Sequence, residues 1–227
     1  ISLYREYNME HSVFERQVQL TDRTISPAVY NLVIGLTLLW GFAVNWWMVD
    51  AISVEWIRSI NIWVFFGGYF ASCMLGVYLF SSSSNPLVSF VGYNLVVVPF
   101  GLIINLVVSR YDANLVQQAI RLTALVTVGM MALGTLFPAF FQRIASALTI
   151  ALLLVIVVEL VEVLVFGIRH GILDWIVVLI FCGYIGYDWG RANQIPKTLD
   201  NAIDSAAALY MDIINLFLRI LRILGRK

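Results

Sequence analysis

The stretch ASALTIALLLVIVVELVEVLVF, residues 145–166, settles what kind of chain this is. At 1.5 Å of rise per residue, a helix of this length crosses the roughly 30 Å hydrocarbon layer of a bilayer. It holds no lysine, arginine, proline or glycine, and its only charges are Glu159 and Glu162. Five runs of the same kind lie around it, at 29–49, 60–80, 87–109, 120–137 and 172–187. A seventh, at 206–224, is apolar but interrupted by Asp212, Arg219 and Arg222. The breaks carry turn chemistry: four serines at 81–84 followed by Asn85-Pro86, then Asp112-Ala113-Asn114, Pro138 and His170-Gly171. None is long enough for a separate soluble domain, so 29–227 reads as one helical membrane domain.

Composition agrees. Of 227 residues, 61% are apolar and only 12% charged, against about 45–50% and ~25% in soluble domains. Fourteen Lys+Arg balance fourteen Asp+Glu. That leaves no basic face for nucleic acid, which binds by phosphate neutralisation. Cys73 and Cys182 both sit in apolar runs, so neither a disulfide framework nor a zinc site is in view. No HExxH motif and no nucleophile paired with a base is present, so a non-enzymatic protein without a cofactor is expected.

Residues 1–28 are different. Arg5, Glu6, Glu10, Glu15, Arg16, Asp22 and Arg23 make them polar, and Ser26-Pro27 leads into the first run. They read as a cytoplasmic arm. With the N-terminus inside, six basic residues face the cytoplasm (Arg5, Arg16, Arg23, Arg143, Arg191, Lys197) and four face outward (Arg58, Arg110, Arg121, Arg169). The C-terminal Arg219, Arg222, Arg226 and Lys227 make the count 10 against 4 if the seventh segment re-enters, or 6 against 8 if it crosses. The positive-inside rule therefore favours six spans plus a re-entrant or partial seventh helix, with the N-terminus inside, and leaves a full seven-span bundle open.

Charges at membrane depth cost at least ~2.5–3.5 kcal/mol each, so each needs a reason. Asp212, in LYMDIINLF at 209–217, has apolar neighbours on both sides and a side chain too short to reach an interface. Asn215, three residues on, shares its face and is a candidate partner. The bland alternative pairs Asp212 with Arg219. Asp188, in YDWGR at 187–191, either caps a helix or pairs with Arg191. Glu159 and Glu162 share a helical face. Such neighbours do not both ionise readily, which suits a proton relay or ion pathway; alternatively they line a watery cavity or pair with an arginine of another helix. Pro99 withdraws a hydrogen bond from the Leu95 carbonyl and predicts a kink. Gly67-Gly68, Gly101 and Gly129 suggest close helix packing. Trp40, Trp46, Trp47, Trp56 and Trp63 suggest an aromatic belt.

Two blocks carry a family likeness. YIGYD at 184–188 and AAALYMDIINLFLRILRILG at 206–225 resemble the Bax inhibitor-1 (transmembrane Bax inhibitor motif) family, and the spacing from Asp188 to Asp212 matches it. The resemblance implies an all-α integral membrane protein, a seven-helix bundle of six transmembrane helices around a short central C-terminal helix. It implies a pH-sensitive calcium leak channel with Asp188 and Asp212 as proton sensor and as a possible Ca²⁺ site, Ca²⁺ and protons being its ionic partners. The ending at 224–227, without the lysine-rich tail of many eukaryotic members, points to a bacterial plasma membrane. The basic latch expected after the second helix is missing: residues 79–86 read LFSSSSNP. A glutamate expected in that helix is missing too. Physically, two carboxyls in a dry site share one proton; doubly ionised, they repel each other and attract a divalent cation. Two further functions stay open: a regulator of an FtsH-type membrane protease acting through the arm, and a proton-coupled transporter using Glu159 and Glu162.

Overall fold

A computed structural model of the chain describes residues 23–167 and 170–226. The expected arm at 1–28 falls mostly outside these residues. The Ser26 hydroxyl accepts from the Val29 amide at 3.3 Å, and Pro27 takes the first helical position, where a missing N–H is harmless. Asn61, Asn85, Asp112 and Thr198 cap later helices in the same way. The long helices are α1 (Pro27–Ala51), α3 (Ile62–Ser82), α4 (Pro86–Val108), α5 (Ala113–Leu136), α6 (Pro138–Val161), α7 (Gly171–Ala192) and α8 (Leu199–Leu224). A short α2 (Val54–Ser59) joins α1 to α3, and α6 runs on into a π-helical turn, Glu162–Phe166. That turn stops at Gly167, whose φ of 63° favours glycine.

All long helices but α8 are long and apolar enough to cross a membrane, which gives the six expected spans. Helices α5 and α6 each begin seven residues before their apolar runs, at 113 against 120 and 138 against 145. Their first turns carry Asn114, Gln117, Gln142 and Arg143, polar residues suited to a helix end at the interface. The packing is that of an all-α membrane bundle. Helix α8 is the core, with 17 of its 26 residues buried, whereas α3 buries only Gly76 and Phe80. Helices α1, α4, α5 and α7 pack on α8; α3 lies outside α4, and α6 lies outside α7. The outer faces are apolar, with Leu39, Trp63, Leu125, Leu154 and Leu179 all well exposed, as lipid requires.

The last helix corrects one expectation. It is central, but neither short nor re-entrant: it runs unbroken from Leu199, about 39 Å at 1.5 Å per residue. Its first two turns, LDNAIDS at 199–205, were too polar to register as membrane sequence. They are buried because partners await them. The Tyr30 hydroxyl meets Ser205 Oγ at 3.0 Å, and Ser89 Oγ donates to Asp200 Oδ1 at 2.6 Å. The Ile25 amide donates to the Lys197 carbonyl at 2.8 Å, so α1 and α8 start at the same end of the bundle. Helix α8 ends beside the start of α7, where Arg226 pairs with Asp174. The basic count therefore becomes 6 against 8 and no longer selects an orientation by itself.

Pro99 has a partner too. Helix α4 continues through it, and the Leu95 carbonyl that Pro99 leaves free accepts from Ser72 Oγ of α3 at 2.7 Å. Close approach between these helices occurs at Gly76 and Gly92, where an added Cβ falls 2.5 and 2.6 Å from the other's carbonyl oxygen. Gly101 packs tightly against Met48 and Asn45 as expected, but Gly67, Gly68 and Gly129 have nothing within 4 Å. Those three correct the packing expectation, because they lie on exposed faces. Trp46, Trp47, Trp56 and Trp63 are exposed around the α1–α2–α3 corner. Trp40 lies deeper, and its indole donates to Asn94 Oδ1 at 3.0 Å.

Candidate functional site

Asp188 lies near the end of α7 and Asp212 midway along α8, and packing of these two helices sets both side chains in the wall of one cleft. Both are almost fully buried, at 9% and 7% exposure. They share a cleft of about 350 Å³ with Ser146 and Thr149 of α6 and Tyr184 and Tyr187 of α7. The Tyr184 hydroxyl donates to Thr149 Oγ1 at 3.0 Å. The Arg191 guanidinium donates at 2.7 Å to the hydroxyl of Tyr187, which lines the same cleft. Asp212 Oδ2 is buried with no hydrogen-bond partner among the described residues.

No group of three or more His, Cys, Asp or Glu stands ready for a metal among the described residues. The pair supplies two carboxylates, whereas Ca²⁺ takes about six to eight oxygens, so an ion here keeps much of its water. Asn215 does not join Asp212: its amide donates to the Met211 carbonyl at 2.8 Å, within its own helix. Nor does Asp212 pair with Arg219. Arg219 binds Glu159 through both guanidinium nitrogens, one contact at 2.9 Å, and donates to Asp174 Oδ1 at 2.7 Å.

The two glutamates also separate. Glu159 faces Arg219, while Glu162 accepts from the His170 amide at 3.2 Å and contacts its Nδ1 at 2.6 Å. Each glutamate thus has its own partner, and the Glu159–Arg219 pair is the pairing with an arginine of another helix that the spacing left open. Sequence reading missed Asp174. It is 1% exposed and gathers Arg219, Arg222 (3.1 Å) and Arg226. In sequence it resembles an ordinary acidic residue in a first helical turn, placed there for the helix dipole. The signal available was the arginine spacing, since 219 and 222 share one helical face and 226 follows just past the helix end.

A family model for the inhibitor of apoptosis-promoting Bax1 (Bax1-I) matches residues 23–227. An uncharacterized membrane protein of Vibrio cholerae is 29% identical over 64% of this chain and 65% of its own length. A Helicobacter pylori protein is 28% identical over 77% of this chain and 73% of its own. The chain thus spans just under two thirds of the Vibrio relative. A BI1-like protein of Arabidopsis thaliana is 57% identical over a shorter block, 20% of this chain and 18% of its own. The matched region takes in every described helix and both aspartates, and the chain belongs to the Bax inhibitor-1 family of membrane proteins.

Proposed function

We propose that this protein is a passive, pH-modulated cation leak, with Ca²⁺ as the principal ion, gated by the proton that Asp188 and Asp212 share. The observation that carries this reading is the pair of buried carboxyls lining one cleft, with Asp212 Oδ2 left without a partner among the described residues. With one proton the pair is cohesive and holds α7 against α8. Without it, two adjacent negative charges repel and offer a binding step to a hydrated divalent ion. Flux therefore rises with pH.

The bacterial relatives support a bacterial plasma membrane. A cytoplasmic N-terminus keeps support from the charges once the three arginines paired with Glu159 and Asp174 are set aside. The N-terminal end then holds six basic residues and the other end 8 − 3 = 5.

The test is Ca²⁺ entry into dye-loaded liposomes from about pH 6 to about pH 8, with Asp188→Asn and Asp212→Asn beside the wild type. The expected result is flux that increases with pH and a flattened profile in both variants. Flux no greater than that of empty liposomes overturns the leak and moves the protease-regulator function to the front.

A further inference from the structure

Two clefts lie along the same three helices. The first holds Asp188 and Asp212; the second, of about 100 Å³, holds Glu159, Glu162, Asp174, Arg222 and Arg226. Both lie between α6 with its π turn, α7 and α8. On α8, Asp212, Asn215, Arg219 and Arg222 follow at steps of three or four residues, so one stripe of the helix runs from the first cleft towards the second, and Arg226 follows just past the helix end. Along this stripe Arg219 lies two turns, about 10 Å, beyond Asp212. The bundle axis is filled by α8 itself, so a path beside it is the open alternative.

We infer that the α6–α7–α8 seam is the cation path of the leak, and that Arg219, fixed by Glu159 and Asp174, is a second barrier on it; this rests on the leak reading above. Guanidinium keeps its charge at any accessible pH, and three arginines here share this end of the seam with three carboxylates, Glu159, Glu162 and Asp174. Arg219 bridges two of these acids, and its fixed charge stands in the way of a cation arriving from the aspartate pair. Opening the path means parting Arg219 from its two acids, one on α6 and one on α7. The seam thus closes at two points, and the charged closure that residues 79–86 lack has a counterpart at the far end of α8.

The test places a cysteine at Asn215, between the two closures, in a protein whose Cys73 and Cys182 are serines. Its modification by a membrane-impermeant cationic thiol reagent, added at the face where α8 ends, is followed in vesicles. With Arg219 present, labelling is slow. Arg219→Gln speeds it roughly tenfold or more, as local opening no longer breaks the ion pairs. Arg219→Lys, which keeps the charge, stays near the parent. Arg222→Gln, with a more exposed side chain and a single ion-pair contact, gives a smaller rise and serves if Arg219→Gln does not fold. Unchanged labelling in folded variants, beside normal pH-dependent flux, overturns the barrier alone. Absence of flux from every protein overturns the leak on which it rests.

Discussion

Arg219 Nη1 donates to Asp174 Oδ1 at 2.7 Å, and this bond ties the far half of α8 to the first turn of α7. Asp174 is nearly inaccessible, and three guanidiniums converge on it. Removing one partner of such a cluster leaves buried charge uncompensated. Asp174→Ala should therefore destabilise the protein by about 3 kcal/mol, at the low end for buried pairs because Arg222 and Arg226 still reach solvent. Thermal unfolding followed by size-exclusion chromatography measures it, with Asp112→Ala as a cap control costing about 1 kcal/mol.

Ser72 and Pro99 form a second dependent pair. Ser72 Oγ satisfies the Leu95 carbonyl only because Pro99 has no N–H to offer it. Ser72→Ala should cost about 1–2 kcal/mol in the wild type, since no water stands ready in lipid. In a Pro99→Ala background, where the helix bond is restored, the same change should cost less than half as much. A double-mutant cycle on unfolding reads the coupling; equal costs in the two backgrounds refute it.

The contact between α3 and α4 at Gly76 and Gly92 leaves no room for a side chain. Gly76→Val should destabilise by about 1–3 kcal/mol through overpacking. Gly68→Val, one helical face away and open for 4 Å, should change stability little. Reversal of that order would show that α3 packs elsewhere.

These cases show what could be read from the chain. Apolar length gave the six spans, because a bilayer demands continuous hydrophobicity and little else. It could not give the start of α8, where Asp200, Asn201 and Ser205 are buried by virtue of partners on α1 and α4 that lie more than a hundred residues away. Asp188 and Asp212 stood out for a local reason, an acid among apolar neighbours. The choice between Asp212 and Asp174 as the partner of Arg219 was not local: α7 carries Asp174 to the end of α8 and Asp188 to its middle, and only the antiparallel run of the two helices decides it. Glu159 and Glu162 look paired under α-helical spacing, and the π turn that separates their partners leaves no mark in composition.

The shared proton can be watched directly. Infrared difference spectra of the protein in lipid, titrated from about pH 6 to about pH 8, report the C=O band of a protonated carboxyl. A proton shared by the pair predicts one such band in the wild type that disappears as pH rises, and its loss or displacement in both Asp188→Asn and Asp212→Asn. A wild-type protein with no titrating carboxyl band, or a band untouched by both substitutions, would contradict it.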